Sequence, residues 1–124
     1  MSLPKSEEEI MKHLWKLKKG FFKDIKNEYP DPKPATTTIN TLLKRLIDKE
    51  YISYRVYGNS REYYPLVSKD TYFSNFFKKL ISTHFDDSIE QFGSFFTKAS
   101  NISEDDLKTL HRIVDNKLRE GNHD

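Results

Sequence analysis

The stretch Ala35–Tyr51, ATTTINTLLKRLIDKEY, constrains this chain more than any other. Ile39, Leu42, Leu43, Leu46 and Ile47 recur at i, i+3, i+4, i+7 and i+8. That spacing is the single apolar stripe of a helix packed on one side. Thr37, Thr41, Lys44 and Asp48 fall on the opposite side, flanked by Thr38, Asn40 and Arg45. An ordinary outer face would carry Glu, Lys or Gln, because Thr and Asn are poor helix formers. Short hydroxyl and amide groups are what a helix needs to approach base edges and phosphates closely. The pattern therefore predicts a DNA recognition helix with Thr37, Thr38, Asn40, Thr41, Lys44 and Arg45 as candidate contacts.

The preceding residues supply the rest of a helix-turn-helix. Ser6–Lys18 reads as a first helix, with Ser6 and Glu9 spaced as a capping box and Ile10, Met11, Leu14, Trp15 and Leu17 facing inward. Trp15 is expected to anchor the core and His13 to lie at the surface. Gly20 is placed to end this helix as a left-handed cap. Phe21–Tyr29 follows as a short helix burying Phe22, Ile25 and Tyr29. Pro30-Asp31-Pro32-Lys33-Pro34 cannot be helical and predicts a rigid turn directly before the recognition helix. Helix, turn and a second helix with a polar face is the arrangement that enters a major groove.

Tyr51–Val56 alternates as a strand, Gly58-Asn59 is a turn dipeptide, and Arg61–Leu66 returns. A hairpin in this position is a wing. Arg55, Asn59 and Arg61 are its candidate DNA contacts, the two arginines straddling a phosphate or entering a minor groove. The competing reading is a plain hairpin with solvated arginines.

Beyond Pro65 and Ser68 the composition changes. Seven of the nine phenylalanines follow Thr71, and with Tyr72, Leu80, Ile81 and Ile89 they recur every three or four residues. Helices are expected over 69–82, from a cap at Asp87 with Glu90 to about Lys98, and from a cap at Ser103 with Asp106 to about Glu120. The last carries a Leu107, Leu110, Val114 and Leu118 stripe. A segment this short buries its apolar surface poorly alone. It can pack against a second copy of itself, giving a symmetric dimer, or fold back on the first part of the chain. The dimer reading assigns Phe73, Phe77, Leu80, Phe92, Phe96, Leu107, Leu110 and Val114 to the interface. The expected architecture is mainly α with a small β-hairpin: a winged helix-turn-helix DNA-binding domain over 1–68 and a C-terminal helical dimerisation domain over 69–124.

Composition narrows the function classes. With no cysteine, disulfides, thiolate metal sites and cysteine nucleophiles are excluded. Aromatic content of 14% argues against disorder. No apolar run reaches membrane-spanning length and the acidic start lacks a signal core, so a cytoplasmic protein without membrane insertion is expected. Residues 1–66 hold 13 Lys/Arg against 9 Asp/Glu, a net +4, and residues 67–124 hold 8 against 10, a net −2. The basic half is the one that carries the helix-turn-helix. His13, His84, His111 and His123 are dispersed, and Asp86-Asp87 and Asp105-Asp106 sit at helix starts, where carboxylates stabilise the dipole. No catalytic constellation, cofactor or metal is expected. A winged helix that binds a protein partner, without sequence-specific DNA binding, is the alternative to a regulator.

Four segments carry a family resemblance: EEEIMKHLW at Glu7–Trp15, KDI at Lys23–Ile25, TTTINTLLKRLIDKEYI at Thr36–Ile52 and REYYPLVS at Arg61–Ser68. Together they resemble the penicillinase repressor family (BlaI/MecI/CopY) of bacterial transcriptional repressors, closely over residues 1–68 and in helix count thereafter. The resemblance implies a homodimer that represses an operon by occupying a dyad operator on double-stranded DNA. It places DNA contacts on Thr37, Thr38, Asn40, Thr41 and Arg45 and on a wing from Arg55 to Arg61. It also implies a membrane sensor peptidase pathway as an upstream partner. Several members carry Lys and Arg where this chain has Thr37 and Asn40. Without cysteine, the Cys-rich metal switch of the copper-responsive members is absent. The Asn-Phe bond cut in the β-lactam-responsive members corresponds here to Phe95-Phe96.

Overall fold

The computed structural model describes residues 2–99 and 101–121. The element order is α1 (Lys5–Leu17), β1 (Gly20–Phe21), α2 (Phe22–Asn27), α3 (Thr36–Asp48), β2 (Ile52–Tyr57), β3 (Ser60–Pro65), α4 (Lys69–His84), α5 (Ile89–Ala99) and α6 (Glu104–Gly121). Two compact units result, one up to Lys79 and one from Leu80.

In the first unit the apolar stripes of three helices meet over one sheet. Ile10, Met11 and Leu14 of α1, Ile25 of α2, and Ile39, Leu42, Leu43 and Leu46 of α3 are buried together with Ile52 and Tyr63 of the strands. Tyr29, just past α2, is buried with them, while Phe22 packs at the edge. The hairpin closes with Tyr57 opposite Ser60, and Gly58 takes φ 60° at the first of the two turn positions. Glycine there meets the positive φ that a two-residue hairpin turn needs.

Three local features differ from the sequence expectations. The Ser6–Glu9 capping box does not form. The Leu3 N–H is held by the Tyr72 hydroxyl at 2.8 Å, Pro4 takes the N-cap position, and Ser6 is already inside the first turn. Gly20 is not the left-handed cap of α1; Lys18 is, at φ 71°. Gly20 instead pairs with Tyr63, and the short β1 completes a three-stranded antiparallel sheet in the order β1-β3-β2. A Cβ at Gly20 would lie 3.2 Å from Leu17 Cδ1 and 3.3 Å from Asp24 Cβ, so a larger residue there fits only if these side chains shift by a few tenths of an ångström. His13 is not a surface residue. Its side chain is 14% exposed and its ring meets Tyr29 edge-on at 4.5 Å.

The His13 environment has a measurable consequence. Burial lowers its pKa below the ordinary 6.5, against the opposing pull of Glu9 and Glu28. The native state thus holds a neutral imidazole that the unfolded chain protonates more readily. Stability rises with pH between the folded pKa and 6.5, and falls as pH drops through that window. Melting temperatures recorded between about pH 5 and pH 7 should show a shallower acid loss in His13→Gln than in the parent. Parallel curves would remove His13 as the cause.

The start of α4 belongs to the first unit's core. Tyr72 is 4% exposed. Burial pushes its pKa up to about 12, so the hydroxyl stays protonated and donates to Glu8 Oε2 at 2.8 Å while accepting from Leu3. Trp15 packs on Tyr72 and Phe73 and donates its indole N–H to the Val67 carbonyl at 2.9 Å. The compact unit therefore runs past Ser68 to Lys79.

In the second unit, Phe85 contacts Phe92 and Phe95, and Phe92 contacts Phe96. Asp87 does not cap α5. It lies at φ 59°, and Ser88 accepts the Gln91 N–H at 3.0 Å instead. Ser103 does cap α6, accepting the Asp106 N–H at 3.1 Å. The helix runs through Gly121 rather than stopping before it. No residue of α6 is buried: Leu107, Leu110, Ile113, Val114 and Leu118 all face outward. His123 lies outside the described residues.

Candidate nucleic-acid interface

The outer face of α3 is fully presented. Thr37, Thr38, Asn40, Thr41, Lys44 and Arg45 are all exposed. The first turn of α3 contains no acidic residue and its N-cap, Ala35, has no capping side chain. The positive end of the helix dipole is therefore open to phosphate oxygens. Lys26 of α2 reaches Thr36 Oγ1 at 3.1 Å, adding a positive charge at the same end. The Thr41 hydroxyl donates back to the Thr37 carbonyl at 2.9 Å. Its proton is thereby committed, so Thr41 offers a partner its methyl and its oxygen as acceptor.

The wing brings its two arginines to opposite faces. In the β2–β3 register Val56 stands opposite Arg61 and Tyr54 opposite Tyr63, while Arg55 stands opposite Glu62 and Ser53 opposite Tyr64. Side chains of opposed residues share a face, and successive residues alternate. Arg61 therefore lies on the face of Tyr54 and the buried Tyr63, which looks toward α3. Its guanidinium sits 4.3 Å from the centre of the Tyr54 ring. Arg55 lies on the other face, 5.9 Å from the ring of Tyr64. The two arginines do not converge on one point, as a shared phosphate would require.

Between α3 and the wing are two clefts with Arg61 at their common wall. One, of about 710 Å³, is lined by Phe21, Phe22, Lys23, Asn40, Asn59, Ser60, Arg61 and Tyr63. The other, of about 370 Å³, is lined by Asn40, Leu43, Lys44, Ile47, Asp48, Tyr54, Arg61 and Tyr63. Of the residues singled out in the sequence, Asn40, Lys44, Asn59 and Arg61 come together here. Thr37, Thr38, Thr41 and Arg45 are exposed on α3 but line neither cleft, and Arg55 points away. Ser60, within the expected wing span Arg55–Arg61, joins the site, and so does Lys23, which the sequence reading did not include. Ser60 stands one residue before Arg61, next to the turn. Lys23 arrives through the β1–β3 pairing, which a two-residue strand does not announce in sequence.

Three packed helices, a two-stranded wing and a polar helix face with no acid in its first turn define a winged helix-turn-helix protein that binds DNA. The family model described as penicillinase repressor matches residues 3–116. The chain belongs to the penicillinase repressor family and is a DNA-binding transcriptional repressor. No curated protein matches it. Among solved structures it is similar to a CopR repressor structure, at 28% identity, covering 55% of this chain and 100% of that one with a TM-score of 0.46.

Proposed function

We propose that the protein works as a homodimer on a palindromic operator and represses the operon behind it. The observation that carries this reading is the pairing of an exposed polar α3 face, free of acid in its first turn, with an outward-facing apolar stripe on α6. The first supplies groups that reach base edges and phosphates. The second exposes Leu110 by 46%, Val114 by 50% and Leu118 by 61%, which is a cost in water unless another surface covers it. A second copy supplies a matching stripe, and two-fold symmetry places two α3 helices on the half-sites of a dyad. In this reading the interface uses Phe77, Leu80, Phe92, Phe96, Leu107, Leu110 and Val114. Phe73 also packs on Trp15 within its own chain. No helix among the described residues is long and apolar enough to cross a membrane. The Phe95-Phe96 bond lies inside α5, so a peptidase acting there must first unwind that helix.

The test is binding of the purified protein to its own upstream intergenic DNA and to a scrambled duplex across a salt series. Tight binding to the native fragment alone is expected. Its log–log salt slope should be near −0.9 per phosphate neutralised. Equal, weak and salt-insensitive binding to both duplexes would overturn the repressor reading in favour of a protein partner. Within the site, Thr38→Ala or Asn40→Ala should reduce discrimination between operator and scrambled DNA by about 1–3 kcal/mol per lost base contact. Unchanged discrimination in both variants removes base readout from this face.

A further inference from the structure

The larger cleft beside α3 contains more than a recognition helix needs. Its lining includes two cations, Lys23 and Arg61, and three polar groups able to donate hydrogen bonds, on Asn40, Asn59 and Ser60. Aromatic Phe21, Phe22 and Tyr63 form its walls, and no carboxylate lines it. The smaller cleft on the other side of Arg61 differs, since Asp48 lines it. Lys23 and Arg61 belong to segments about forty residues apart, joined by the pairing of Phe21 with Glu62 and Gly20 with Tyr63. Neither cation has a carboxylate partner among the described residues. Arg61 is instead held on Tyr54, at 4.3 Å from the ring centre. A guanidinium fixed on an aromatic face keeps its N–H edge available and has less freedom to lose on binding.

We infer that this cleft seats one phosphodiester of the DNA backbone between Lys23 and Arg61, with Tyr54 as the positioning residue for Arg61. The inference rests on the DNA-binding reading above and specifies its division of labour. Base edges are met by the outer face of α3, and the flanking strand is gripped by a clamp built from β1–α2 on one side and the wing on the other. An anion suits the site because two unpaired cations there are stabilised by opposite charge. A backbone phosphate suits it better than a base, since Lys and Arg on long stems bind phosphate without reading sequence. Arg55, on the opposite face of the wing, takes no part in this clamp.

The experiment is the salt dependence of binding to operator and scrambled duplexes by the full-length protein and by Lys23→Gln, Arg61→Gln, the double variant, Tyr54→Leu, and Lys12→Gln as a control on the exposed side of α1. Each single cation variant is expected to lower the magnitude of the log–log slope by about 0.9, and the double variant by the same about 0.9, because the one phosphate is held only while both cations are present. The affinity loss should be the same fold on both duplexes. Tyr54→Leu keeps the charge of Arg61, so it should weaken both duplexes equally with a smaller change in slope. Lys12→Gln should match the parent. An unchanged slope in Lys23→Gln, or a loss of about 1.8 in the double variant, would overturn the shared seat while leaving DNA binding intact. A flat slope in the parent protein would instead sink the DNA-binding reading itself.

Discussion

Ending the chain after Lys79 is expected to cost about 10²–10⁴-fold in affinity for an operator with two half-sites, while a single half-site is bound almost as before. The loss follows from the proposed dimer. Once one α3 is docked, a tethered second α3 meets its half-site at a high effective concentration, and removing the tether removes that gain without touching either protein–DNA contact. The cut belongs after Lys79 and not after Ser68. Tyr72 is buried, holds Leu3 and Glu8, and packs with Phe73 on Trp15, so an earlier cut would open the core of the winged unit itself. A milder version leaves the chain whole. Leu110→Asp with Val114→Asp places charge on side chains that are 46% and 50% exposed, which an isolated chain tolerates and a covered interface does not. Sedimentation should give a dimer for the parent and a monomer for both variants. A dimer that persists in both would place the interface elsewhere.

How much of this was legible depends on whether a feature is periodic. The α3 stripe is, and four of its five apolar residues are buried, with Ile47 packed at the edge. The polar face emerged with it, because the two are one pattern seen from opposite sides. The hairpin was legible from Gly58-Asn59, and its register carried a further consequence. A two-residue turn pairs Arg61 with Val56 and Arg55 with Glu62, so the arginines must take opposite faces. They therefore cannot act together on one phosphate. The cleft was not legible, because β1 has two residues and shows no alternation, yet it delivers Lys23 to the wing. His13 failed for a related reason. Its neighbours in sequence are charged, but the Tyr29 ring, sixteen residues on, packs edge-on against it. Caps failed where two candidates stood side by side. Asp87 and Ser88 both suit an N-cap, and the left-handed backbone at Asp87 gives the position to Ser88.

Glu7 shows the same limit with the larger energetic consequence. It stands in a Ser-Glu-Glu-Glu run that looks like a solvated helix start, yet it is 2% exposed. Its spacing to Ile10, Met11 and Leu14 puts it on the apolar stripe of α1, so its burial was implicit in the pattern. Its partner was not: Lys49, the residue that ends α3, bonds Glu7 Oε1 at 2.6 Å. The pair fastens the end of the recognition helix to the start of α1. Removing only the lysine leaves a carboxylate enclosed and unpaired, and such a break costs about 3–5 kcal/mol when both partners are buried. Lys49 is itself 44% exposed, so water can replace part of its contribution. The expected loss for Lys49→Met is therefore about 2–3 kcal/mol, below the figure for a fully buried pair. At roughly 4–8 °C per kcal/mol for a unit of this size, the melting temperature should fall by about 10–20 °C. Glu7→Met with Lys49→Met should recover most of it, because no charge is then left enclosed. Urea denaturation of the parent, the two single variants and the double closes the cycle. A double variant as unstable as Lys49→Met would mean that packing around these side chains, and not the charge left behind, sets the cost.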